Sequence, residues 1–259
     1  MSPWALWAWG LAGLVALMSL LWLLQLRTRN AGVVDVGWAY GLGALAVLYG
    51  MLGAGHPHRR ALVAGLAGAW SLRLAGYLLF DRVLGRPEDA RYRELRESWG
   101  ERAQPKLFLF FLAQALLDAL LSLPFLVIAF DERPPGWREA LASVVWLAAV
   151  SGESLADRQL ARFRADPAGR GRTCREGLWR YSRHPNYFFE WLHWWAYVTM
   201  APLSPAGGLS LLGPAAMLLF LYKVTGIPAT EAHALSSRSD YADYQRRTSA
   251  FIPWFPKSV

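Results

Sequence analysis

The sequence predicts an all-α, multi-pass membrane protein of about seven transmembrane helices, with its N-terminus outside and its C-terminus cytoplasmic. Three observations predict it. Hydrophobic residues make up 54% of the 259 positions and include 14 tryptophans, more than a soluble fold ordinarily carries. The apolar residues are gathered into runs long enough to cross roughly 30 Å of hydrocarbon. The basic residues lie between those runs and favour one side.

Residues 3–26 contain no charge and have no Lys or Arg ahead of them. They read as a membrane helix, because a cleaved signal peptide has a basic front and a shorter apolar core. Further apolar runs at about 33–54, 61–80, 107–129, 138–157, 187–203 and 208–226 complete the seven. With the N-terminus outside, the segments 27–30, 81–106, 158–183 and the tail after 222 face the cytoplasm. They hold 2, 7, 8 and 5 Lys or Arg, together 22 of the 27, as the positive-inside rule expects. Within 81–106, RPEDARYRELRESWGERAQ mixes both signs at helical spacing and reads as a solvated helix on that surface. No repeat of 20–50 residues and no long Ser/Gly linker divides the chain, so 1–259 is expected to be one membrane domain.

The net charge of +8 does not indicate nucleic acid, which needs a basic face on a soluble domain. The single Cys174 excludes an intramolecular disulfide and a cysteine zinc cluster, and no metal is expected.

Several polar residues sit where hydrocarbon makes them costly unless a partner or ligand satisfies them. Asp35 begins the second run, where it either pairs with Arg27 or Arg29 or serves as an acid. In ESLADRQLARFR, Glu153, Asp157 and Arg164 share one helical face. In RGRTCREGLWRYSRHPNYFFE, Pro185 suits the first turn of a helix. Its free amide groups and the preceding arginines are the ordinary ingredients of a phosphate site. Downstream, Asn186 and Glu190 lie one turn apart, and an amide beside a carboxylate can hold a carboxamide. Snorkelling accounts for the arginines but not for these two. The tail carries Glu231, His233, Tyr241 and Tyr244 and ends on the apolar FIPWFP, read as interfacial packing.

The order GLWRYSRHPNYFFEW, then GIPATEAHALSS, then DYADYQRRTSAFIPW resembles the C-terminal half of the steroid 5-alpha-reductase-like membrane proteins, in particular their bacterial relatives of unassigned substrate. The resemblance covers Glu153 to Trp254, so that 153–254 is the expected cofactor region. It implies a seven-helix fold that uses NADPH to reduce the carbon-carbon double bond of an enone in a lipid or steroid-like substrate. It implies cofactor contacts from Asp157, Arg164, Arg172, Asn186, Glu190 and His233. Glu153, which stands where the animal enzymes have asparagine, joins them as a candidate, with Tyr181, Arg183, His184 and Tyr187 of the same stretch. At the substrate end those enzymes carry a Gln-Glu pair and a tyrosine. Here Val34-Asp35 and Trp70 are the counterparts, with Asp35 as the expected acid and Tyr40 or Tyr77 as replacement phenol.

The RHPNY element also occurs in membrane methyltransferases of the isoprenylcysteine carboxyl type, so an S-adenosylmethionine-dependent methyltransferase is the rival expectation. A transporter is disfavoured by the lack of an inverted repeat. Expected partners are the substrate and membrane lipids, with no protein partner, in a bacterial inner membrane with the cofactor site on the cytoplasmic side.

Overall fold

The computed structural model describes residues 1–203, 205–224 and 226–258, and every named element among them is helical. The chain groups into two compact units, Met1–Gly136 with Met200–Leu212, and Trp137–Thr199 with Gly213–Val259.

The first unit is built on α1 (Pro3–Thr28), α2 (Val33–Leu52) and α3 (Pro57–Leu78). Ser2 caps α1 by accepting a hydrogen bond from the Ala5 amide at 3.2 Å, with Pro3 in the first turn, and the helix stops at Arg29 in the left-handed conformation. The pairing of α2 with α3 depends on Gly43, because a Cβ there would collide with Ser71. Ser71 Oγ instead donates to the Ala39 carbonyl at 2.6 Å, the close backbone approach that small residues allow in membranes. A π-helical turn, Leu79–Val83, ends this run. The expected surface helix follows as α4 (Ala90–Trp99), whose single buried residue is Tyr92. Then come α5 (Ala103–Leu121), tied to α1 by Trp7 Nε1 donating to the Ala119 carbonyl at 2.8 Å, and the short α6 (Leu123–Ala129). After α6, Asp131 is buried between Arg59 and Arg133, each with a nitrogen at 2.7 Å.

The second unit contains α7 (Trp137–Ala165), α8 (Pro185–Met200), α9 (Leu212–Leu219), a π-helical turn at Phe220–Val224, α10 (Ile227–Ser237) and α11 (Tyr241–Arg247). Its core includes Leu221, Ile227 and Phe251, against which Tyr187, Phe188 and Trp191 pack. Part of FIPWFP is therefore core: Phe251 is buried, while Ile252, Trp254 and Phe255 are exposed.

Among the described residues, six helical stretches are long and apolar enough to cross a bilayer, one fewer than expected. The missing one is the run at 187–203. It forms α8, whose 16 residues reach only about 24 Å at 1.5 Å per residue. The run expected over 208–226 includes Thr225, which lies outside the described residues. Leu20, Leu23 and Leu24 on α1 are exposed, as lipid contact requires.

Candidate functional site

In the second unit α7 anchors the lead-in to α8. Gly177 has φ +56, and a Cβ there would collide with Gln159, so only glycine lets the GLWR turn (Gly177–Arg180) dock. Gln159 Oε1 accepts from the Leu178 amide at 2.9 Å, and Trp179 Nε1 donates to the Ala156 carbonyl at 3.0 Å. The C-terminal segment then laces over the lead-in to α8. Arg183 N donates to the Ser249 carbonyl at 2.8 Å and Trp254 N to the Tyr181 carbonyl at 2.9 Å. The Tyr244 hydroxyl donates to the carbonyls of Trp179 and Ser182.

Arg183 and His184 serve this lacing. Arg183 Nε donates to Glu231 Oε1 at 2.6 Å, and its Nη1 donates to the carbonyls of Gln245 and Thr248. His184 Nε2 lies 3.2 Å from the same Glu231 oxygen, and its ring stacks on Tyr187 at 5.3 Å. Tyr181 meets Phe255 edge-on.

Pro185 starts α8 as expected, and the α7–α8 contact joins two candidates. Asn186 Nδ2 donates to Asp157 Oδ1 at 3.4 Å. On the far side of the same contact, a Cβ on Gly152 would fall 2.5 Å from the Phe189 ring, so the helices touch there as well. Glu153 and Glu190 are the next residues along each helix; Glu153 is buried and Glu190 half-buried. Asn186 keeps its carbonyl oxygen and one N–H for a ligand.

Arg164 and Arg172 lie at another place in this unit. With Arg170 and Arg238 they line a cavity of about 180 Å³ beside Gly169 and Gly171. Arg238 was not among the sequence candidates, because it comes from the end of α10 and only folding carries it to the 164–172 loop. His233 is exposed on α10, whose buried residues are Ile227, Glu231 and Ala234, and among the described residues no hydrogen bond joins it to Asn186. Cys174 is buried, which pushes its thiol above the usual range, as suits a reduced bystander.

In the first unit, Asp35 does not pair with Arg27 or Arg29. Its Oδ1 accepts from the Tyr92 hydroxyl at 2.6 Å and its Oδ2 from Arg91 Nη2 at 3.2 Å, both from α4. Tyr40 is exposed and Tyr77 half-buried, so the phenol brought to Asp35 is Tyr92. The sequence signal for it was one aromatic ring inside the charged run RYREL.

These helices define an all-α membrane protein of several spans. The chain belongs to the family described as Protein of unknown function (DUF1295), whose model matches residues 21–248. No curated protein and no solved structure matches it.

Proposed function

We propose that the protein is a membrane-embedded, NADPH-dependent reductase of a carbon-carbon double bond conjugated to a ketone in a lipid or steroid-like substrate. The observation that carries this reading is the cavity lined by Arg164, Arg170, Arg172 and Arg238. Positive-inside topology requires many arginines but not that four converge. Convergent guanidinium groups suit the phosphates of a dinucleotide, whereas S-adenosylmethionine carries none.

NADPH supplies the hydride when bound. Asn186, with one N–H and its carbonyl oxygen unspent, and Glu190, which accepts only, suit the donor and acceptor pattern of a carboxamide. In the reaction the β-carbon of the enone accepts hydride, the π electrons shift to the carbonyl oxygen, and a proton at the α-carbon completes the saturated ketone. Charge grows on that oxygen only as hydride arrives, so a preorganised donor lowers the barrier. Asp35 keeps the role of acid in this proposal, acting in its protonated form, with the Tyr92 hydroxyl as the phenol that holds it.

Thermal shift in detergent tests the cofactor. A ligand at about one hundred times its Kd stabilises the native state by about 2.7 kcal/mol. The shift with NADPH is expected in the wild type and lost in Asn186→Ala, Glu190→Ala and the Arg172→Ala/Arg238→Ala pair. Stabilisation by S-adenosylmethionine and none by NADPH would reverse the assignment. Asp35→Asn and Tyr92→Phe are expected to keep the NADPH shift and lose enone turnover.

A further inference from the structure

The first unit holds a second polar cavity that the proposed reduction does not use. It has a volume of about 450 Å³, lies at the C-terminal end of α1 and is lined by Leu26, Arg29, Glu88, Arg96 and Gln104. Its polar groups are joined in a fixed order. Glu88 Oε1 accepts from the Ala31 amide at 2.8 Å and from Arg96 Nη2 at 2.7 Å, and its Oε2 accepts from Arg96 Nε at 3.3 Å. Arg96 Nη2 also donates to Gln25 Oε1 at 3.2 Å, and Gln25 Nε2 donates to Gln104 Oε1 at 2.8 Å. Gln25 is fully buried, so the network is built into the fold.

The hydrogen-bonding inventory of these side chains then leaves a one-sided remainder. Both Glu88 oxygens are engaged, and the Gln104 oxygen is taken. What has no hydrogen-bond partner among the described residues is the Gln104 amide nitrogen, Arg96 Nη1 and the whole Arg29 guanidinium. All are donors. Two arginines against one glutamate leave one net positive charge. A donor-only set of that sign fits a group with several acceptor oxygens and a negative charge, which is a phosphate.

The surroundings indicate where the phosphate comes from. Before Arg27, α1 carries no charge, so the cavity lies where the hydrocarbon run ends. Leu26, on the cavity wall, and Leu23, one turn before it, are both exposed. A soluble phosphate has no use for that apolar approach, whereas a phospholipid fills both parts. Basic pockets at the ends of membrane helices are established headgroup sites.

We propose that this cavity binds the phosphate of an anionic phospholipid, with Arg29 and Gln104 as the contacts and the acyl chains along α1. The test is native mass spectrometry of the full chain in dodecyl maltoside with equal amounts of phosphatidylglycerol and phosphatidylcholine. The wild type is expected to retain phosphatidylglycerol preferentially. Loss of a hydrogen bond to a charged group is worth about ten-fold or more, so Arg29→Ala should lower that preference about ten-fold. Gln104→Glu keeps the acceptor for Gln25 and puts an anion where the donor was, and it should lower the preference at least as far. Arg27→Ala removes the same charge from the same turn outside the cavity and should leave the preference unchanged. An equal loss in Arg27→Ala and Arg29→Ala would reduce the effect to general surface charge and overturn the site. Binding of inorganic phosphate that depends on Arg29, with no preference between the two lipids, would overturn the lipid assignment.

Discussion

Glu231 is where the second unit is most open to a quantitative test. Its carboxylate takes hydrogen bonds from Arg183 Nε at 2.6 Å and Gln245 Nε2 at 2.7 Å, with His184 Nε2 at 3.2 Å. The Arg183 and Glu231 side chains are only 10% and 12% exposed, so solvent does little to screen them. Removing one partner of a buried ion pair costs about 3–5 kcal/mol, because the other charge is left uncompensated. Arg183 keeps the carbonyls of Gln245 and Thr248, which places Glu231→Ala near the lower end, at about 3 kcal/mol. Glu231→Gln keeps an acceptor of the same shape and should lose about half as much, since a hydrogen bond to a charged group is worth about 1.5–3 kcal/mol and a neutral one about 1. Thermal unfolding in detergent, followed by tryptophan fluorescence, is the assay. The order expected is wild type above Glu231→Gln above Glu231→Ala, with the alanine variant lower by about 6–12 °C. A loss below about 1 kcal/mol for Glu231→Ala would make the pair equivalent to an exposed one and refute the view that it fastens α10 to the start of α8.

Two further outcomes concern the first unit. Burial alone would raise Asp131, but the hydrogen bonds from Arg133 and the charges of Arg59 and Arg133 hold its carboxyl below the usual range. Its stabilising contribution is therefore complete above the unfolded value of about 3.9 and lost as pH falls below it toward the folded pKa. The wild-type melting temperature should fall more steeply than that of Asp131→Asn on acidification below about pH 4, and parallel curves would show that the network contributes nothing. Asp118 on α5 is fully buried, neither of its oxygens has a hydrogen-bond partner among the described residues, and one would lie 2.7 Å from a Cβ on Gly41. Asp118→Leu, of the same branching, should stabilise by about 1–3 kcal/mol; a lower melting temperature would show that the buried carboxyl stabilises the fold and refute this reading.

The spans were legible where hydrocarbon thickness alone dictates them, and less so where proline intervenes. The run 107–129 reads as one apolar stretch, but Pro124 lies in the first turn of α6 and the helix divides at Ser122. The run 187–203 continues past Met200 only in composition, because Pro202 has no N–H to extend α8. The surface helix at α4 and the start of α8 at Pro185 follow from local patterns that need no tertiary information. Partners did not. Asp35 has Arg27 and Arg29 near it in sequence, but it pairs with Arg91 and Tyr92, and which distant residue reaches it is decided by how α4 lies against α2. Arg238 was invisible for the same reason. It reaches Arg164, Arg170 and Arg172 only through the fold of the second unit.

The arginines show what the fold adds to a charge count. By topology alone the basic bias is explained whether or not any of them binds a ligand. Pairing separates them. Arg91, Arg96, Arg175, Arg183 and Arg247 each have a carboxylate within 3.3 Å, and their charge is spent on structure. Of those without an ion pair among the described residues, Arg170, Arg172 and Arg238 meet at one cavity and Arg29 lies at the other, while Arg27 and Arg93 line neither. Charge that serves only orientation has no reason to converge, and its removal should have the same effect wherever it lies along a given turn. Charge that serves a ligand must converge, and its removal should depend on position. Arg27 and Arg29, two residues apart at the end of one helix, are therefore the sharpest pair in the molecule for separating the two explanations, since topology makes them equivalent and the cavity does not.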